Sequence, residues 1–145
     1  MSAMEAHGGS VNFGSFVGAT TIRVLGMGEA MGKAGGPEVS AMQDAVRQSM
    51  EDGAFGIGSA LIYPPGNFAS TEELIAINSA AAPYGGVYIT HMRSEADNFL
   101  EAIDEAIKIG TEAGVPVEIY HLKAGGQRNW HKAAEAVAKI DSARA

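Results

Sequence analysis

The chain has 145 residues, 46% of them hydrophobic and 19% charged, which is room for one domain with a sizeable core and too apolar for disorder. Its net charge of −7 argues against non-specific binding to nucleic acid or to anionic membrane surfaces, and no segment approaches the roughly 20 apolar residues of a membrane span. The absence of cysteine removes disulfides and thiolate metal ligands, and it fits a reducing, cytoplasmic setting.

Residues 1–10 carry neither the basic start nor the apolar run of a signal peptide. They read as a frayed lead-in, with His7 solvated beside Gly8 and Gly9. Apolar residues at alternate positions (Val11, Phe13, Val17) predict a first strand over 11–17. Gly18 to Arg23 reads as a loop entering a short helix through a threonine cap. The glycine-rich stretch 26–37 lacks the ending of a phosphate loop, because Ala34 follows Gly32 and Lys33, and reads as a flexible connection. Pro37 in a first turn, with Val39, Met42, Ala45, Val46 and Met50 on one face, predicts a helix over 38–52 that Gly53 ends.

Ala54 to Tyr63 is a run of small and apolar residues without alternation, as expected of a parallel strand covered on both faces, and Pro64, Pro65 and Gly66 stop it. Ser70 with Glu73 three residues on reads as a capping box opening a helix with Leu74, Ile75, Ile77 and Ala81. A strand Val87 to His91 follows. Ser94 with Asp97 reads as a second capping box, before a helix with Phe99, Leu100, Ile103, Ala106, Ile107 and Gly110 on one face and an Asp104 to Lys108 pair outside. Gly114 and Pro116 lead into a strand ending at His121. Asn129 is then expected to cap a last helix that buries Trp130, Ala133, Ala134, Val137 and Ile140, while His131 is solvated.

Strand starts near 55, 87 and 117 keep a period of about 30 residues, the size of a βα unit. The expected fold class is therefore α/β: four βα units with parallel strands, either a small open sheet or a partial (β/α)8 barrel of the TIM type, because a closed barrel needs about 250 residues. Residues 1–145 read as a single segment of this kind.

One stretch occurs twice. Val87-Tyr88-Ile89-Thr90-His91-Met92-Arg93 returns as Val117-Glu118-Ile119-Tyr120-His121-Leu122-Lys123, each copy ending on a histidine with a cation two residues later. Parallel α/β folds gather ligands at the C-terminal ends of their strands. Neighbouring strands about 4.8 Å apart would let His91 and His121 share a metal ion. The alternative is two histidines satisfied by hydrogen bonds within strand-end loops. Arg93 and Lys123 read either as contacts to a substrate carboxylate or as loop salt bridges with Glu95 or Asp97. Tyr63, at the end of its strand, could hydrogen-bond a substrate at the same mouth or pack on the proline turn. Ser59 is not in the Gly-x-Ser-x-Gly frame of a nucleophile elbow.

At these residues the chain resembles a known family. Gly53-Ala54-Phe55-Gly56-Ile57, Leu61-Ile62-Tyr63-Pro64-Pro65-Gly66, Thr71-Glu72-Glu73-Leu74, Thr90-His91-Met92-Arg93-Ser94-Glu95 and His121-Leu122-Lys123-Ala124 with Asn129-Trp130 are together similar to the N-acyl-D-amino-acid deacylases (D-aminoacylases) of the amidohydrolase superfamily. The resemblance implies a zinc-dependent (β/α)8 barrel that hydrolyses the amide of small-molecule N-acyl-D-amino acids. It makes His91 and His121 zinc ligands on successive strands, and places Arg93, Lys123 and Tyr63 near the substrate, with Lys123 and Tyr63 foremost as carboxylate contacts. In such an enzyme zinc polarises the scissile carbonyl and lowers the pKa of bound water to about 7, and an aspartate acts as general base.

The departures are as specific as the matches. The family's His-x-His pair, metal-bridging cysteine, catalytic aspartate and small β-domain have no counterpart here. The resemblance thus implies an internal segment covering the third to sixth βα units, with no catalytic residue of its own and inactive alone. A second expectation belongs to another class: a non-catalytic half-barrel whose open edges pair with a second copy to close a homodimer.

Overall fold

The computed structural model describes residues 2–145. A short helix α1 (Ser2–His7) opens it where an irregular lead-in was expected; His7 is exposed, its Nδ1 2.7 Å from the Ala3 carbonyl. Strand β1 is only Val17–Gly18, so most of the predicted first strand has no regular structure. Its glycines and serines give alternating positions little to bury. Helix α2 (Ala19–Met27) follows directly, with Gly18 and not a threonine at its cap. Helix α3 (Gly36–Glu51) has Pro37 in its first turn and buries Met42, Val46 and Met50, as the periodicity predicts.

Strand β2 (Gly56–Ala60) occupies the centre of the predicted run. Helix α4 (Thr71–Ser79) starts on Ser70, whose hydroxyl accepts the Glu73 amide at 3.2 Å. The capping box is only half formed, because the Glu73 side chain turns inward to pair with Arg23. Strand β3 (Val87–His91) and helix α5 (Phe99–Ala113), closed by Gly114, match their expected spans. The second capping box is absent: Asp97 is drawn instead to Arg128 and Asn129, and Asn98 precedes α5 without a side-chain cap. Lys108 pairs with Glu112, and Asp104 with Lys139, so the expected pair between Asp104 and Lys108 does not form.

Strand β4 is Val117–Ile119, two residues short of His121. A 3-10 turn over Gln127–Lys132 precedes the last helix, α6 (Ala133–Arg144), whose cap position is Lys132 rather than Asn129. This helix is more exposed than its sequence suggests. Ala136 is buried, but Val137 and Trp130 are 53% and 64% exposed. His131 is exposed, as expected.

The strands form one sheet in the order β1-β2-β3-β4, all parallel, with Ala60 opposite His91 and Thr90 opposite Ile119. Alternation along each strand sets two faces. Ile57 and Tyr88 point to the helices and join a core with Ile22, Met42, Val46, Leu74, Ile77 and Ile109. Each such fully buried side chain contributes about 1.5–3 kcal/mol of transfer free energy. On the same face Ser59 accepts or donates at 2.7 Å to the Tyr88 hydroxyl and donates at 2.8 Å to Thr90, so the serine is a satisfied core group. A smaller cluster of Met92, Phe99, Ile103 and Ala136 seats α5 against α6. Gly58, Ile89 and His91 lie on the opposite, helix-free face. No helix of the described residues is long and apolar enough to cross a membrane.

Candidate metal and substrate site

The parallel register carries β3 and β4 side by side, and their ends deliver the two histidines to one place. His91 is the last residue of β3; its amide plane is fixed by the Leu61 amide, which donates to the His91 carbonyl at 3.0 Å. His121 lies just past β4 at φ 33°, the one non-glycine residue in the left-handed region among the described residues. That conformation costs a residue with a Cβ about 1–2 kcal/mol and turns the imidazole back toward β3. The rings stand 4.6 Å apart between centroids at 78°.

Glu95 completes the group. It sits four residues after His91, in the loop between β3 and α5, with a side chain only 12% exposed. Its Oε1 is 2.8 Å from His121 Nδ1 and its Oε2 is 3.7 Å from His91 Nε2. One ligand atom from each of His91, Glu95 and His121 lies within 4.8 Å of the others. His91 Nε2 and Glu95 Oε1 are both buried atoms without a hydrogen-bond partner, so the close approach of Oε1 to His121 Nδ1 is not a formed hydrogen bond. Buried polar atoms are rarely left so, and two of them facing one small space suit a divalent cation.

Lys123 Nζ bridges Glu95 Oε2 at 2.5 Å and His121 Nδ1 at 2.9 Å. This is the salt-bridge alternative expected for Lys123, formed within the histidine cluster itself. Tyr63 is 59% exposed, with its ring 5.6 Å from that of His91. Arg93 is placed differently. Its guanidinium is committed to Glu105 and to the carbonyls of Asn67 and Ala69, and the Glu105 carboxylate raises its pKa further. Here too the salt bridge is what forms, with Glu105 as a partner the sequence did not suggest.

The structure thus brings together His91, His121, Lys123 and Tyr63, and leaves Arg93 in a clamp beside them. Glu95 is the site residue that sequence reasoning passed over, naming it only as a loop partner for a cation. Its position four residues after a strand-end histidine was the available signal.

No protein-family model matches the chain. A D-aminoacylase from Alcaligenes xylosoxydans xylosoxydans is 37% identical over 145 residues, covering 100% of this chain and 30% of that protein. A crystal structure of D-aminoacylase, described as defining a novel subset of amidohydrolases, superposes with a TM-score of 0.93 at 37% identity, over 99% of this chain and 30% of that one. The N-acyl-D-glutamate deacylase of Bordetella bronchiseptica, solved with zinc and a phosphonate mimic of the tetrahedral intermediate, gives 0.94 at 31% identity over the same shares. The four parallel strands and their helices are therefore a partial (β/α)8 barrel, and the chain spans about 30% of the length of the relatives it matches. Over the residues it contains, the chain is a homologue of the N-acyl-D-amino-acid deacylases, with the same amidohydrolase fold.

Proposed function

We propose that this chain carries the zinc-binding and carboxylate-binding part of an active site that hydrolyses the amide of N-acyl-D-amino acids, and that it does not turn over substrate by itself. The supporting observation is the convergence of His91, Glu95 and His121, with two orphaned buried atoms, beside Lys123 and Tyr63 at one end of parallel strands. The donor set of two imidazoles and an adjacent carboxylate fits zinc, which supplies polarisation of the scissile carbonyl when bound.

The residues of this chain do the rest by binding and orientation. His91 and His121 hold the metal. Lys123, paired in this structure with Glu95 and His121, would turn its ammonium from them to meet the substrate carboxylate, and the Tyr63 hydroxyl would donate to the same group. Arg93 touches no substrate in this reading; it fixes the segment 67–69 that follows Tyr63. A general base is not among these groups, so the expected activity of the chain alone is nil.

The test is zinc content after exhaustive dialysis, with assays over N-acyl-D-amino acids. Stoichiometric zinc that the His91→Ala, His121→Ala double variant loses, without turnover, supports the reading. Zinc unchanged in the double variant would overturn it.

A second reading has its own observation. Among the described residues neither β1 nor β4 has a neighbour on its outer edge, and Tyr120 and Leu122 beside β4 are 42% and 40% exposed. Two copies pairing at these edges would form a closed homodimer. Light scattering at micromolar concentration decides it: a dimer mass supports the pairing, and a monomer removes it.

A further inference from the structure

We propose that Asn129 is a positioning residue for binding of the substrate carboxylate: its buried side-chain amide holds the loop that carries Lys123 against the loop after β3. This rests on the Lys123 reading above and extends it to a side chain that touches no ligand.

Asn129 is 3% exposed, inside the 3-10 turn Gln127–Lys132. Its Nδ2 donates to the Gly125 carbonyl at 2.8 Å and to Asp97 Oδ1 at 3.2 Å. A carbonyl and a carboxylate only accept, so the nitrogen end of the amide must face them, and both of its protons are used. The Asn129 backbone amide adds a bond to the Gly126 carbonyl at 2.9 Å. One residue thus closes the turn 125–129 and ties it to the loop after β3.

Gly125 passes this hold to Lys123, two residues earlier in the chain. Its carbonyl is taken by Asn129, and its amide donates to the Glu95 carbonyl at 2.5 Å. A Cβ on Gly125 would stand 2.8 Å from that carbonyl oxygen, and backbone does not yield as a flexible side chain does. On the other side of Lys123 lies His121 at φ 33°, a conformation that persists only where the surrounding chain enforces it. Lys123 is therefore rooted between a strained residue and a pinned one, and its ammonium swings from a fixed backbone. The neighbouring ion pair does less. Arg128 Nη2 is 2.5 Å from Asp97 Oδ2, but the two side chains are 75% and 60% exposed, and a pair so solvated contributes little. Asn129 is the buried member, so water does not readily replace the bonds it makes.

The experiment is an NMR titration of the whole chain, with zinc present, using N-acetyl-D-leucine and N-acetyl-D-leucinamide, which lacks the carboxylate charge. Wild type is expected to prefer the carboxylate by about 10-fold or more, the worth of a hydrogen bond to a charged group. Lys123→Met is expected to show no preference. Asn129→Ala, and Asn129→Asp, which keeps the shape but has no donor, are expected to bring the ratio down to that of Lys123→Met. Gly125→Ala severs the same hold from its other end and is expected to do likewise, which decides the matter even if the Asn129 variants fold poorly. A merely structural role would weaken both ligands alike and leave their ratio intact. That result, or the wild-type ratio in a folded Asn129→Ala, overturns the proposal and leaves the role of Lys123 standing. No preference in wild type overturns the Lys123 reading and takes this inference with it.

Discussion

Arg93 grips Glu105 at two points, Nε 2.9 Å from Oε2 and Nη2 2.8 Å from Oε1, and the same guanidinium donates to the Asn67 and Ala69 carbonyls at 2.8 and 2.9 Å. One planar group thus ties the end of β3 to helix α5 and to the loop after β2. Arg93→Lys keeps the charge but loses the fork and most of the donors. We expect it to cost about 1–3 kcal/mol in urea unfolding, with zinc affinity within about threefold of wild type. A large loss of zinc with unchanged stability would move Arg93 from the clamp to the site.

This arginine shows how far the sequence could be read. The βα period, the parallel order and the meeting of His91 with His121 were all legible, because each follows from spacing along the chain. The choice of partner for a cation was not. Arg93 and Lys123 occupy equivalent places in the repeat, yet one binds Glu105 on a helix and the other Glu95 in the mouth. Periodicity places a Cα; it does not say which of several carboxylates a long side chain will reach. The same limit explains Asn129. It was expected to cap α6, and is instead buried because its amide satisfies both Asp97 and the Gly125 carbonyl. That turn leaves its neighbour Trp130 outside the core. The first strand was misplaced for a different reason: alternation among glycines and serines carries little burial, and pairing with β2 is confined to Val17 and Gly18.

Asp97 should make the clamp between the two mouth loops sensitive to acid. Its carboxyl is held below the usual range, first by the Asn129 side chain and then by Arg128 and Lys132. A carboxylate depressed in the folded state contributes stability above its unfolded pKa, about 3.9 for aspartate, and loses it as pH falls through the lower folded value. The loops should therefore stay joined through mildly acidic pH and part only below the ordinary aspartate range. Trp130 fluorescence followed through an acid titration should show that step, and Asp97→Asn should abolish it.

The pair between Arg23 and Glu73 is almost wholly buried, and Arg23 also donates to the Gly32 carbonyl at 2.5 Å. Removing one member leaves the other charge stranded, so Glu73→Ala should cost about 3–5 kcal/mol. Replacing both with apolar residues of similar size, Arg23→Met with Glu73→Leu, should recover part of that loss, because desolvation of the pair is no longer required. Recovery will be incomplete, since the Gly32 carbonyl loses its donor. Chemical unfolding of Arg23→Met, of Glu73→Leu and of the double variant closes the cycle. Additive losses would mean that the pair is not coupled.

Two glycines of β2 provide the sharpest contrast. Gly56 sits at φ 146°, and a Cβ there would lie 1.9 Å from the Val87 carbonyl oxygen and 2.5 Å from the Val87 nitrogen. Nothing flexible can yield, because both contacts are backbone of the neighbouring strand at the start of the register that sets Ala60 opposite His91. Gly58, two residues on, has no such conformation, and its Cβ would meet Ile89 Cγ1 at 3.4 Å, an ordinary contact. Gly56→Ala should therefore cost about 3 kcal/mol or more, combining backbone strain with displacement of the strand. Gly58→Ala should stay within about 1 kcal/mol of wild type, since it also restricts the unfolded chain. Because the same register delivers His91 to the mouth, zinc affinity should fall with Gly56→Ala and hold with Gly58→Ala. Paired thermal melts and chelator titrations of the two variants test both statements, and equal behaviour of the two would show that the β2–β3 register does not govern the site.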